Sequence, residues 1–344
     1  MNCEKVHLHF LKWSMGVNRK ACNAGIWGDS GRYPLIYECI NLTLKYTRRL
    51  QNLNDNSLVS LAFKEQMNLN LPWYKNLQSI LSLDPCFSAD HVTAFQLQNQ
   101  KHTNLTIANQ PSPAKPLKEN FLIHNGFKKR IPLQTAKPIG SKRFTPHIVL
   151  KSLKTVFKES WSSYVKSSSK LEFYRDVKSH FEKESYLDQI TKYTDRANIT
   201  RLRISAHRLE IETGRYNNTP RDDRICSWCN TVLGTRIIEN EWHLLHECDL
   251  NAVHRRKCIE KINSIIVNSN TDGTMTSTST PTQYITQNTN LISIISKNNE
   301  ISSSLPNGSQ VHLTRIIARF TTKCFNNREK FIDSLSSSIL RPNK

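Results

Sequence analysis

Cys226-Ser227-Trp228-Cys229 sets two thiols two residues apart. After a gap of thirteen residues, His243-Leu244-Leu245-His246-Glu247-Cys248 supplies imidazoles and a third thiol. Cysteines separated in this way form a tight knuckle with both sulfurs on one side, a bite that suits tetrahedral Zn²⁺. The spacing predicts Cys226, Cys229, His243 and Cys248 as the ligands of one zinc ion. Three thiolates and one imidazole close the shell, so the zinc is expected to be structural, with no position left for a substrate. His246 and Cys258 are the alternative donors. His246 stands only two residues from Cys248, an awkward reach, and Cys258 falls deeper in an expected helix. Glu239, Glu241 and Glu247 are candidates to orient His243. The competing account is a reduced thiol cluster with His243 as an ordinary polar helix residue.

No complete catalytic constellation accompanies these residues. His7, His9, His91, His102, His147 and His180 are scattered without the spacing of a nucleophile–base pair or an open metal site. The patch from Gly25 to Pro34 holds three glycines and reads as a tight loop. It lacks the spacing and flanking strand of a phosphate-binding fingerprint. The chain is therefore not expected to be an enzyme.

Charge points to a partner instead. Among 344 residues, 48 Lys and Arg face 28 Asp and Glu, a formal net charge of +20 and a pI near 9.7. Such an excess favours a polyanion, because each neutralised phosphate releases condensed counterions. Two groups of bases are candidates for RNA or DNA contact. The first is Arg201, Arg203, Arg208, Arg215 and Arg224, within a stretch (201–256) of nine Arg, no Lys and eight acidic residues. Arginine's planar fork grips phosphate and carboxylate alike, so phosphate contact and internal ion pairing are both open. The second lies in residues 113–170, with thirteen Lys or Arg against two Glu. There Lys128, Lys129, Arg130, Lys142 and Arg143 alternate with Phe121, Phe127 and Phe144. Aromatics among bases suit stacking on nucleobases while lysines track phosphates; the other account is a solvated linker.

The nine cysteines are mostly single, the N-terminus does not resemble a signal peptide, and no apolar run is long enough to span a bilayer. An intracellular protein of the nucleus or cytoplasm is expected, not secreted and without a membrane partner.

The elements that must position these residues read as mainly α. Hydrophobic residues are only 38% of the chain, which suits helical cores separated by stretches that do not fold. A helical unit is expected over 1–83, with Leu35, Cys39, Leu42, Tyr46 and Leu50 forming one apolar stripe. Ser57 is a candidate N-cap, and Pro72 a helix's first residue. A basic, disordered linker follows over 84–145. A helical domain with the zinc knuckle is expected over 146–267. It opens at Thr145-Pro146, includes a helix from Ile199 to a C-cap at Gly214, and ends with a helix from about Asn240 through Ile266. A disordered polar insert (268–310) and a C-terminal helix (311–344) complete the reading.

The run Arg201-Leu202-Arg203-Ile204-Ser205-Ala206-His207-Arg208-Leu209-Glu210-Ile211-Glu212-Thr213-Gly214-Arg215-Tyr216 leads into Arg224-Ile225-Cys226 and Cys229. Glu241-Trp242-His243-Leu244-Leu245-His246-Glu247-Cys248 then closes the motif. Together these resemble the C-terminal region of the reverse-transcriptase polyproteins of non-LTR (LINE-like) retrotransposons, where a Cys/Cys/His/Cys zinc module follows the polymerase. Phe10 to Val17, Asn23, and Gly28 to Leu35 resemble the segment just downstream of the polymerase in the same polyproteins. The resemblance covers about 1–260, and its zinc part is the more specific.

The resemblance implies that Cys226, Cys229, His243 and Cys248 hold zinc in a module that helps to grip template RNA or target DNA, with the nearby arginines contributing. It does not carry polymerase activity over. The family's polymerase needs an Asp-Asp pair in a Tyr-any-Asp-Asp hairpin to hold two metal ions. The one Asp-Asp here, Asp222-Asp223, follows Pro220-Arg221 beside the knuckle. The expected function is that of a nucleic-acid-binding zinc-knuckle tail without the catalytic core. The alternative is a protein-interaction module whose zinc only stabilises the fold.

Overall fold

The structure, a computed structural model, describes residues 3–81, 146–271, 285–286, 289–295 and 299–339. The expected linker 84–145, with Lys128, Lys129, Arg130, Lys142 and Arg143, lies outside the described residues. What is described is mainly α, as the periodicity predicts. Among the described residues the one β feature is an isolated antiparallel bridge between Ile225 and Ile238. The chain forms two compact units, residues 1–32 with 165–344, and residues 33–164.

The first 32 residues thus belong with the unit that carries the Cys226/Cys229/His243/Cys248 cluster, not with the expected unit 1–83. Helix Cys3–Ser14 is followed by helix Asn23–Ser30. This second helix replaces the loop expected from the glycines. Gly25 and Gly28 lie inside it, and Gly31 ends it in the left-handed conformation at φ 62°. Gly25 serves packing, because a Cβ there would lie 2.7 Å from Ile204 Cγ2. That close approach delivers Asp29 into the interior beside Arg203.

Arg203 and Asp29 are both fully buried, joined by a bidentate pair with Nε–Oδ2 at 2.9 Å and Nη2–Oδ1 at 3.0 Å. Arg203 Nη2 also lies 3.3 Å from Glu184 Oε1, and Lys178 Nζ lies 2.5 Å from the same oxygen. Tyr186 donates to Asp29 Oδ2 at 2.9 Å, while Arg203 sits over the rings of Tyr186 and Tyr174. Burial opposes the charge on Asp29, yet Arg203 and Lys178 hold its carboxyl below the usual range. Burial and the Asp29 charge push the Tyr174 and Tyr186 hydroxyls well up. Two acids and two bases balance here, which makes the cluster a strut between distant segments.

The remaining helices of this unit pack round one apolar core. Helices Tyr193–Arg203, Ala252–Thr271 and Asn307–Ile339 contribute Ile199, Leu202, Ile262, Leu313, Ile317 and Phe320 to it. The helix expected to end at Gly214 is two helices, Tyr193–Arg203 and Glu210–Tyr216, broken at Ser205 with φ 51°. Gly214 is not a C-cap. It lies inside the second helix, where a Cβ would stand 2.6 Å from Arg224 Cγ.

Residues 289–295 and 299–310 of the expected disordered insert are also ordered. Helices Leu291–Ile294 and Glu300–Ser304 are capped by Asn290 and Asn299, whose Oδ1 atoms each accept two backbone N–H groups. Leu291, Ile292, Ile294, Ile295 and Leu305 are buried in the core. The polar composition that suggested disorder is partly a set of caps around a short apolar run.

In the second unit, helices Ile36–Gln51, Leu58–Asn68 and Pro72–Leu81 are accompanied by most of helix Pro146–Ser167. Ser57 caps as expected, accepting from Ser60 N at 3.2 Å, and Pro72 takes a first helical position. The buried face of Ile36–Gln51 is Tyr37, Ile40, Leu44, Thr47 and Leu50. The expected stripe is therefore displaced, with Cys39, Leu42 and Tyr46 exposed. The helix carries two apolar faces, and the Tyr46 ring meets Trp73 edge-on at 6.5 Å.

Candidate metal centre

A short hairpin builds the first half of the site. Cys226 N donates to Ile237 O at 2.8 Å, and Glu239 N to Arg224 O at 2.8 Å, on either side of the Ile225–Ile238 bridge. Helix Ser227–Leu233 then turns Cys229 back over Cys226 and ends at Gly234, φ 68°. Thr235 N bonds Cys229 O at 3.1 Å, which locks the knuckle.

The second half needs a different helical pitch. In an α-helix, residues five apart point about 140° away from each other. Residues His243–Glu247 instead form a π turn, closed by Cys248 N donating to His243 O at 2.8 Å. This wider turn brings His243 and Cys248 to one side. Asn240 Oδ1 accepts from His243 N at 2.7 Å and starts the turn. A 3₁₀ turn (Asp249–Asn251) and helix Ala252–Thr271 follow, so the expected helix from Asn240 through Ile266 is three pieces. Arg255 Nη1 donates to Cys248 O at 3.2 Å, and Asn327 Nδ2 reaches Asn251 Oδ1 at 3.1 Å.

Cys226, Cys229, His243 and Cys248 are all buried, and their donor atoms lie within 4.8 Å of one another. Cys248 Sγ stands 4.0 Å from Cys226 Sγ and 3.9 Å from Cys229 Sγ, while Cys229 Sγ stands 3.4 Å from His243 Nε2. A tetrahedral ion with metal–sulfur bonds of about 2.3 Å has sulfur–sulfur edges of about 3.8 Å and sulfur–nitrogen edges of about 3.5 Å. These three edges match this figure. They exclude disulfides, which need about 2.05 Å, and the three cysteines are free. The donor set fits a metal ion.

His243 Nδ1 lies 3.3 Å from Glu247 Oε2, which leaves Nε2 for the cluster. Burial opposes charge on His243, but Cys226 and Glu247 together raise its pKa. A hydrogen bond from Cys248 lowers Cys226 to about 3. Burial, with the Cys226 charge, pushes Cys229 up to about 12, and the hydrogen bond to Cys226 pushes Cys248 up. One thiolate is thus favoured by the protein's own groups, and a cation at the centre would stabilise all three.

The alternative donors fall elsewhere. His246 stacks on Trp242 at 4.2 Å, and Cys258 is buried in the main core. Of the three glutamates expected near His243, only Glu247 reaches it. Glu239 is held bidentately by Arg328 at 2.6 and 2.7 Å. Glu241 accepts from Ser205 Oγ at 2.7 Å and lies 2.8 Å from His207 Nε2. Leu209 N donates to His207 Nδ1, so Nε2 carries the proton. Ser205 and His207 share one carboxylate oxygen and are buried. They hold the left-handed turn and do not form a nucleophile–base relay.

The five arginines divide by environment. Arg203 is sealed inside the strut, so it is withdrawn from the phosphate-contact set. Arg224 bridges Thr219 O at 2.9 Å and Ile211 O at 3.0 Å, bracing the chain around Gly214. Arg215 is shared between Glu212 at 3.1 Å and Ser169. Arg201 donates to Gly16 O at 2.8 Å but remains exposed, as does Arg208. The Asp29–Arg203 strut and the Arg328–Glu239 pair carry no local signal in sequence, since their partners lie far along the chain. No protein-family model, no curated protein and no solved structure matches this chain.

Proposed function

We propose that this chain is a nucleic-acid-binding module fixed by one structural zinc ion. In this reading it corresponds to the post-polymerase tail of a retrotransposon-derived reverse-transcriptase-like protein without the polymerase core. The observation that carries it is the buried Cys226/Cys229/His243/Cys248 cluster, its donor atoms within 4.8 Å of one another, in a chain of net charge +20. A closed set of three thiolates and one imidazole favours zinc, and favours a structural over a catalytic ion. The metal would tie the hairpin around Cys226 to the turn at His243, so folding of this region and metal binding are coupled. Exposed Arg201 and Arg208 then remain for phosphate, with the 113–170 bases adding charge. Neither an enzyme nor a membrane partner is part of the reading. No helix among the described residues is long and apolar enough to cross a membrane.

The test is a mobility-shift assay with single-stranded RNA and duplex DNA, before and after chelation. Complexes at low salt that vanish with the metal are expected. No complex at low salt would overturn the reading.

A second reading has its own observation. Arg203, Arg215, Arg221 and Arg236 each pair with a carboxylate of the same unit. Arginines spent in this way suit a protein-interaction module whose zinc only stabilises the fold, and partner binding would then be insensitive to salt.

A further inference from the structure

Tyr216 ends helix Glu210–Tyr216 with 55% of its surface exposed. A tyrosine whose work was to seal a core would bury its ring. Here ammonium groups from two distant segments stand near the ring. Lys20 Nζ stands 5.5 Å from the ring centroid, and Lys170 Nζ stands 5.6 Å from it. Lys170 also donates to the Tyr216 hydroxyl at 3.2 Å, which fixes the ring's orientation. Arg215 precedes it in the same helix but is held elsewhere. Its guanidinium is braced by Ser169 Oγ at 3.0 Å and by Glu212 at 3.1 Å.

The local charge is unbalanced. Lys170 and Arg215 share one carboxylate, that of Glu212, which is itself buried. Lys20 is exposed and adds a further positive charge. Lysines from two other stretches therefore converge on a half-exposed aromatic ring with excess positive charge beside it. An aromatic face rimmed by cations attracts a flat, electron-rich ring carried on an anionic chain, which is the description of a nucleotide in a single strand. Bases of a duplex are already stacked on one another and cannot take such a place.

We propose that Tyr216, with Lys20 and Lys170 beside it, is a stacking platform for an unpaired nucleobase whose flanking phosphates those two cations hold. This rests on the nucleic-acid-binding reading above and narrows it to single strands.

The experiment uses the full chain and two labelled probes, a single-stranded oligoribonucleotide and an abasic strand of the same length. Fluorescence polarisation is read for the wild type, Tyr216→Ala, Tyr216→Phe and Lys20→Ala. Stacking predicts that Tyr216→Ala weakens binding of the base-bearing strand by about 5- to 100-fold while the abasic strand is unaffected. Tyr216→Phe keeps the ring and stays within about two-fold of the wild type. Lys20→Ala reduces the slope of log affinity against log salt by about 0.7, the value for one phosphate on a single strand. If Tyr216→Ala binds both strands like the wild type, or loses both equally, the platform is overturned while nucleic-acid binding stands. If the wild type binds neither strand, both readings fall.

Discussion

Cys229 sits 1% exposed at the centre of the thiol cluster, 3.9 Å from Cys248 Sγ and 3.4 Å from His243 Nε2. Cys229→Ser removes a thiolate that no neighbour can replace. Metal content should fall from one equivalent toward none, and helicity should fall with it. Atomic emission on purified protein and circular dichroism check both, and a variant keeping its metal would refute the ligand set. A second residue-scale prediction concerns the strut. Arg203→Ala leaves Asp29 charged and buried without its bidentate partner, which should cost about 3–5 kcal/mol in urea denaturation. A third concerns pH. Burial resists the charge on Glu241, but His207 and Ser205 hold its carboxyl below the usual range. The unfolded carboxyl therefore takes up its proton first as pH falls. The stability from this contact is full above the unfolded value and is lost as pH drops through the folded one. Glu241→Gln should be less stable than the wild type at pH 7, and the difference should shrink toward pH 4 in paired urea titrations. An unchanging difference would assign the contact to shape instead of charge. The two kinds of residue were not equally legible. The clustered Cys226, Cys229, His243 and Cys248 announce themselves through spacing within 23 residues, whereas Arg203 and Asp29 meet across 174 positions and no local period marks such a pair.

Helices Tyr193–Arg203 and Glu210–Tyr216 show where periodicity stops being informative. Ile199, Leu202 and Leu209 keep helical spacing across the break, because apolar residues on both sides of Ser205 face the same core. The break itself rests on a serine at φ 51° held by Glu241, a contact that sequence spacing does not reveal. The π turn at His243 is of the same kind, since its extra residue per turn follows from the need to bring His243 and Cys248 together. The cap at Ser57 and the helix start at Pro72 were legible because helix N-termini are a matter of neighbours. Those at Asn290 and Asn299 were hidden by a polar background. Gly214 gives a prediction at this scale. In an ordinary helix Gly→Ala would stabilise by about 1 kcal/mol. Here the new Cβ meets Arg224 Cγ at 2.6 Å, so Gly214→Ala should destabilise by about 1–3 kcal/mol. A raised melting temperature would show that the side chain of Arg224 yields freely.

At the scale of the whole molecule, the mainly α character was legible from the helical period, while the partition of the chain was not. Residues 1–32 join the unit that carries the thiol–imidazole cluster, and 33–164 form a unit of their own. The reason lies in Asp29 and Gly25, which fasten the N-terminal helices to Arg203 and Ile204. Net charge, by contrast, needs no fold to be read. A chain of +20 that uses its bases on phosphates must release counterions when it binds. The measurement that tests this most directly is a fluorescence-polarisation titration of single-stranded RNA and duplex DNA by zinc-assayed protein, at low and at physiological salt. The account predicts one equivalent of zinc and an affinity that falls steeply as salt rises. One equivalent of zinc with no binding, or with binding indifferent to salt, would contradict it.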